Sequence, residues 1–317
     1  MGENHSKQTI TKTWDESGIP DQTGKTVLVT GANIGLGYET ARMLAGKGAH
    51  VLMACRNAAR GAEALDAIQA NHGDAKLTLV SLDLADLDSV AKLPALLREA
   101  GISNIDVLVN NAGIMMPPQR QTTKQGFEAQ FGINHLGHFA LTRAVFDMLS
   151  PDARIVTVSS GADRVCGMNF DDLQWEATYS PQKSYGQSKT ANLLFTYELT
   201  RRLAKAGSQI TAVAAHPGMA DTNLSDGSAF KKWVWVLKLM RFMRVGPQLQ
   251  TPEMGALPQT YAATGEIEPG AYYGPEKEYH GHPIRADHHR AEHSTNPEHA
   301  ARLWEVSEEL TGGVFSI

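Results

Sequence analysis

The sequence predicts an α/β fold, a doubly wound parallel sheet with helices on both faces, built as a single domain. Three observations carry this. Short runs rich in Val, Leu and Ile alternate with helical patterns from residue 25 to about 216. Each run is apolar on both faces, as a strand is when helices cover both sides of a parallel sheet. The first run also leads straight into a glycine-rich turn that opens a helix. Such βαβα alternation is the mark of doubly wound architecture.

The elements follow in order. Strands are expected at Thr26–Thr30, His50–Ala54, Leu77–Ser81, Val107–Asn110, Ile155–Ser159 and Ile210–Ala215. Between them, apolar residues recur at helical spacing over Leu36–Lys47, Arg60–Asn71, Leu87–Ala100, Phe127–Leu149 and Ser184–Lys205. The pattern loosens after Thr222. A Trp- and Met-rich stretch, Trp233–Val245, precedes a Gly/Pro/His-rich segment, and a short helix is expected over Pro297–Leu310. Residues 1–21 read as an N-terminal extension and 22–317 as one domain, with 223–317 an elaboration around the substrate.

Composition narrows the function. The chain has 317 residues, 42% of them apolar and 20% charged, an ordinary globular balance. The net charge of -5, with both signs mixed, gives no electrostatic case for nucleic acid. Cys55 and Cys166 lack metal-ligand spacing and read as reduced thiols of a cytoplasmic protein. The polar N-terminus does not read as a secretory signal, and no apolar run is long enough to span a membrane.

The turn after the first strand is Thr30-Gly31-Ala32-Asn33-Ile34-Gly35-Leu36-Gly37. Glycines there permit a tight turn and let the backbone approach a pyrophosphate, which the N–H groups and dipole of the following helix attract. Alone the pattern also fits a plain β-α turn. Its place between the first strand and the first helix favours dinucleotide binding.

The Gly-x-x-x-Gly-x-Gly spacing resembles that of the short-chain dehydrogenase/reductase family, whose fold is the Rossmann type, and other motifs agree in order along residues 22–225. Asp83-Leu84 follows the third strand, Asn110-Asn111-Ala112-Gly113 the fourth, and Asn134 lies in FGINHLGHF. Ser160 is followed by Tyr185-x-x-x-Lys189, then His216-Pro217-Gly218 with Thr222. The wording of TGANIGLG, ACRN, NHLGHF and SKTANLLF is most similar to the retinol-dehydrogenase-like and protochlorophyllide-reductase-like branch. The resemblance implies a hydride transfer between a nicotinamide cofactor and a carbonyl or alcohol; the leading reading takes that substrate as apolar. It implies cofactor contacts at Gly31, Asn33, Ile34, Gly35, Gly37, Asp83, Leu84, Asn110, Ala112, Gly113, Tyr185, Lys189, Pro217, Gly218 and Thr222. It implies catalytic roles for Asn134, Ser160, Tyr185 and Lys189. No metal is expected.

NADP(H) is expected over NAD(H). The second strand ends Ala54-Cys55-Arg56, so Cys55 stands where an NAD enzyme carries an acid, and the Arg56 guanidinium suits a 2′-phosphate by charge and shape. Tyr185 and Lys189 are four apart and share a helix face. A nearby ammonium favours the phenolate, so Lys189 is expected to lower the Tyr185 pKa and ready it as a proton donor or acceptor. Ser160, the second of two serines, would hydrogen-bond the reacting oxygen. By resemblance, Lys189 also holds the nicotinamide ribose and Asn134 a water that relays protons.

Several features stay open at this level. Gly161–Lys183 is longer than in compact members, and its Phe170, Trp175 and Tyr179 either line the substrate entrance or pack locally. His280, His282, His288, His289, His293 and His299 read as a surface loop rather than a metal site. The basic, apolar stretch containing Trp233–Val245 is a substrate cover, a packing surface or a membrane contact. A homodimer or higher homo-oligomer is expected through the helices at Phe127–Leu149 and Ser184–Lys205. Two alternatives to a hydride-transfer enzyme remain. One is a nucleotide-binding sensor on the same fold. The other is an epimerase, dehydratase or double-bond reductase.

Overall fold

The computed structural model describes residues 13–220 and 249–317. Its elements run β1 (Thr26–Thr30), α1 (Gly35–Ala45), β2 (His50–Cys55), α2 (Ala58–Asn71), β3 (Lys76–Ser81), α3 (Leu87–Glu99) and β4 (Ile105–Asn110). A short α4 (Ala129–Phe131) follows, then a π-helical stretch Gly132–Leu136, α5 (Gly137–Val145) and β5 (Leu149–Val158). A 3₁₀ helix Gly161–Val165 leads to α6 (Pro181–Lys205) and β6 (Thr211–Ala215). The C-terminal part adds α7 (Pro252–Thr264), β7 (Tyr272–Pro275), β8 (Pro283–Arg285) and α8 (Pro297–Leu310).

Among the described residues eight strands form one sheet in the order β3-β2-β1-β4-β5-β6-β7-β8. All neighbours are parallel except β7 and β8. The strand order reverses between β1 and β4, which opens a crevice at their carboxyl ends. Side chains alternate across the sheet. Leu28, Leu52, Leu108 and Ile155 pack towards Leu93 of α3, Phe139 of α5 and Phe195 of α6. Val27, Val29, Met53 and Val156 pack towards Leu44 of α1, Ile68 of α2 and Ala262 of α7. Each fully buried side chain of this size contributes about 1.5–3 kcal/mol. Together the two layers hold the crevice walls rigid.

The structure departs from the sequence pattern in three places. The single helix expected over Phe127–Leu149 is interrupted by the π-helical stretch, and β5 starts at its end, at Leu149. Gly137 lies so close to the Leu84 carbonyl that a Cβ would come within 2.6 Å of it, so the chain locally rewinds where it meets the crevice. Second, α7, β7 and β8 extend the sheet and cover the α1 side; Tyr272–Pro275 is too short to signal a strand by itself.

Third, the surface-loop reading of residues 280–299 is corrected. His289 is buried, and His280, His282, His293 and His299 are partly covered; of the six, only His288 is exposed. The segment holds β8 and two 3₁₀ turns, and His293 Nε2 bonds the Asp163 carbonyl at 2.8 Å. Among the described residues no three His, Cys, Asp or Glu side chains gather as metal ligands.

Helix α8 spans the residues expected of it and is capped by Asn296, whose side chain accepts from the Glu298 and His299 N–H groups. Its Trp304 sits between Phe139 (ring centroids 5.1 Å apart) and Phe195 (5.9 Å). Phe315 of the C-terminal tail packs on Phe139 and Phe146. The C-terminal residues Trp304 and Phe315 thus fill the space beside Phe139 of α5 and Phe195 of α6.

Candidate active site

The crevice is a cavity of about 310 Å³, within the size range of small-molecule sites. It is lined by the glycine turn, the ends of β2, β3 and β4, and by Tyr185, Lys189 and Pro217. Gly31 and Gly35 adopt φ of 67° and 58°, which a side chain would strain. Gly37 is ordinary in φ, but a Cβ there would collide with the Gly31 carbonyl and the Asn111 amide. Helix α1 starts at this turn with Ile34 at its N-cap, no side-chain cap and no acid in its first turn. Its free N–H groups and positive dipole end thus face the cavity, and these residues fit a pyrophosphate.

The β4 end is fastened to the turn through Thr30. Its hydroxyl accepts from the Asn111 and Ala112 N–H groups, each at 2.9 Å, and pairs with His138 Nε2 at 2.9 Å. His138 Nδ1 faces the Asn134 carbonyl at 3.0 Å. A carbonyl only accepts, so Nδ1 carries the proton and Nε2 takes the Thr30 hydroxyl proton. Burial pushes His138 down to about 4, which keeps it neutral in this role. Asn111 donates from its amide to the Thr30 carbonyl at 2.7 Å and lines the cavity. Asn110 points away: it donates to Thr142 at 3.1 Å, and its side chain belongs to the wall rather than the cleft.

At the other end, Arg56 lies at the cavity edge while Cys55 is buried beneath it against Gly61. Burial pushes the Cys55 thiol up to about 11. A second arginine, Arg60 in the first turn of α2, lines the same edge. Both flank the N-terminus of α2, capped by Asn57, with no acid in the first turn. The sequence reading missed Arg60, which lies in the first turn of α2 while Arg56 precedes that helix. Asp83 and Leu84 line the facing wall, where Asp83 accepts from the Ala85 N–H at 2.9 Å.

Of the proposed catalytic residues, Tyr185 and Lys189 line the inner end of the cavity; Ser160 and Asn134 are not among its lining residues. Tyr185 is 6% exposed, and the neighbouring Ser160 side chain acts to lower its pKa. Ser160 also caps the 3₁₀ helix by accepting from the Ala162 N–H at 3.2 Å. Ser159 borders the cavity, and its hydroxyl donates to the Lys189 carbonyl at 2.8 Å. Lys189 Nζ lies 5.7 Å from the Tyr185 ring centre and donates to the Val158 carbonyl at 3.1 Å. Asn134, in the π-helical stretch, clamps both the N–H and the carbonyl of Ile114 and donates to Ser188, next to Lys189. One expectation is corrected. Burial pushes Tyr185 up to about 12, the Ser160 side chain pulling the other way, and burial also drives Lys189 down to about 8. Desolvation is the largest cause at both groups.

Gly113 lies against the Asn134 side chain, and Gly218 takes φ 66° beside Pro217. Thr222 and Trp233–Val245 lie outside the described residues. The aromatic residues of the insertion do not line the cavity. Phe170 packs under Arg302, whose guanidinium is 4.3 Å from its ring, and Trp175 is buried. Tyr179 donates to the Pro117 carbonyl at 2.9 Å. Among the described residues no helix is long and apolar enough to cross a membrane.

Comparison with known proteins places the chain. The short chain dehydrogenase family profile matches residues 25–232. Human polyprenol dehydrogenase is 38% identical over 93% of this chain and 87% of its own length. Human retinol dehydrogenase 11 is 39% identical over 91% of this chain and 86% of its own. The crystal structure of an uncharacterized protein from Mycobacterium paratuberculosis superposes with a TM-score of 0.79 at 38% identity, covering 96% of this chain and all of that one. An angucycline C-6 ketoreductase with bound NADP superposes with a TM-score of 0.62 at 26% identity, covering 80% and 95%.

Proposed function

The chain belongs to the short-chain dehydrogenase family, in its retinol-dehydrogenase-like branch, and is an NAD(P)-binding oxidoreductase acting on an alcohol or carbonyl; we propose that its cofactor is NADP(H) and its substrate apolar. The observation that carries the cofactor choice is the pair of guanidinium groups, Arg56 and Arg60, at the cavity edge, with buried Cys55 in the place of an acid. Two forked cations at a helix N-terminus favour a 2′-phosphate by charge, geometry and dipole. The ketoreductase with bound NADP supports the same reading. Apolar substrates are supported by the names of the polyprenol and retinol relatives and by Ile114 and Ile133 in the cavity wall.

When bound, the nicotinamide gives or takes the hydride. Tyr185 Oη holds the proton that meets the substrate oxygen, or receives it in the oxidative direction. Ser160 Oγ donates a hydrogen bond to that same oxygen and fixes it. Lys189 Nζ holds positive charge beside the Tyr185 ring and would be the group that holds the nicotinamide ribose. Asn134 keeps Ile114 and α6 in register beneath them.

The cofactor choice is tested by fluorescence titration. NADPH is expected to bind at least about tenfold more tightly than NADH, a gap of about 1.4 kcal/mol. Arg56→Ala should remove most of that gap, and Arg60→Ala part of it. Equal affinity of the native protein for both cofactors would contradict the proposal.

Assembly is tested separately. Because Trp304 of α8 fills the space beside Phe139 of α5 and Phe195 of α6, light scattering at micromolar concentration should give the 34.4 kDa monomer. A stable dimer that survives dilution would overturn this expectation.

A further inference from the structure

Two histidines sit behind the cavity, and the hydride chemistry does not use either. His216 follows β6 and precedes Pro217; His289 ends a 3₁₀ turn 73 positions later. They are 2% and 6% exposed. His216 Nε2 lies 3.1 Å from His289 Nδ1, and the Gly218 N–H points at His216 Nδ1 from 3.3 Å.

The protons of this chain can be placed. An amide N–H only donates, so His216 Nδ1 carries no proton. The His216 proton is therefore on Nε2 and is donated to His289 Nδ1. His289 in turn carries its own proton on Nε2. Both rings must be neutral, since a second proton on His216 would face the Gly218 N–H and one on His289 would face the His216 donor. Burial pushes His216 down to about 3 and lowers His289, both in the direction of the neutral ring.

The surroundings are shaped for the pair. A Cβ on Gly274 of β7 would collide with His216 Nε2, so glycine leaves the room the ring occupies. Tyr272 covers the His216 ring with centroids 5.0 Å apart, and His288 packs on His289 at 4.2 Å. The Arg164–Glu278 ion pair adds charge on the same side, acting on His289 from both members. The turn itself is gripped from its other side, where the Met219 N–H donates to the Tyr279 carbonyl at 2.8 Å.

We propose that His289 is a positioning residue for the cofactor: through His216 it holds the Pro217–Gly218 backbone in the form that receives the nicotinamide end. This rests on reading the Pro217 side of the cavity as part of the cofactor cleft. It gives the C-terminal segment a part in cofactor binding without direct contact.

The first test is nitrogen NMR on the native protein at neutral pH, without cofactor. Both imidazoles should appear as neutral Nε2–H tautomers; a His216 ring protonated at Nδ1 overturns the proposal. The second is NADPH titration of two variants. His289→Leu keeps the volume but removes the acceptor, stranding a buried donor, and should weaken binding on the order of tenfold. His289→Asn, whose Oδ1 falls near the place of Nδ1, should return affinity to within about threefold of native. Native affinity in His289→Leu, or an Asn variant as weak as the Leu variant, overturns it. If His289→Leu does not fold, the tautomers and the His289→Asn affinity decide. A native protein that binds no nicotinamide cofactor overturns the reading of the cleft, and this inference with it. Native binding with an indifferent His289→Leu overturns this inference alone.

Discussion

Tyr185→Phe is expected to lower turnover by roughly 10²–10⁴-fold, the share of a positioned acid or base. The ring stays, and with it the packing of a side chain that is 6% exposed. Only the hydroxyl and its proton are lost. Burial holds this phenol protonated, at about 12, so the native group enters a reduction already carrying the proton it must give. NADPH affinity should stay within about twofold, because the phenol meets the substrate oxygen rather than the phosphates. Steady-state rates and a cofactor titration on the variant check both halves. Near-native turnover would remove Tyr185 from the chemistry and favour a nucleotide-binding protein without hydride transfer.

Lys189→Met is expected to lose rate by about 10²-fold or more and, unlike Tyr185→Phe, to weaken NADPH binding by about tenfold. The variant also has a signature independent of activity. Burial lowers the Lys189 pKa from the usual 10.5 to about 8. Between those values the unfolded chain binds a proton that the folded chain does not, so this group makes stability rise with pH across that window. Below about pH 8 the cost of burying the ammonium is fully present; above it the cost is relieved. Urea unfolding at pH 7 and pH 9.5 should show native protein gaining on the order of 2 kcal/mol more than Lys189→Met. Equal gains would mean that Lys189 is not desolvated as the structure places it.

What the sequence made legible is mostly what lies close along the chain. The glycine turn, the Tyr185–Lys189 spacing and helix Pro297–Leu310 each depend on residues within one or two turns, and each is found where its pattern puts it. Long-range packing was less readable. Asn110 and Asn111 are adjacent and alike in composition, yet β4 ends so that one faces Thr142 and the other the cavity. The burial of His289 depends on a glycine at 274 and a partner at 216, which no local pattern announces. Likewise the packing of Trp304 and Phe315 on Phe139 joins residues far apart along the chain. The rise of the Tyr185 pKa was missed for a related reason, since a four-residue spacing reveals the ammonium but not the desolvation around both groups.

The central claim is that Ser160, Tyr185 and Lys189 carry out hydride transfer between NADP(H) and an apolar alcohol or carbonyl. The most direct measurement is absorbance at the reduced-nicotinamide band. It would follow native protein with NADPH or NADH against apolar ketones and aldehydes, and with the oxidised cofactors against the matching alcohols. The account predicts a substrate-dependent change that is faster with the phosphorylated cofactor and collapses in Tyr185→Phe. Binding of NADPH without any substrate-dependent change across such a panel would contradict it.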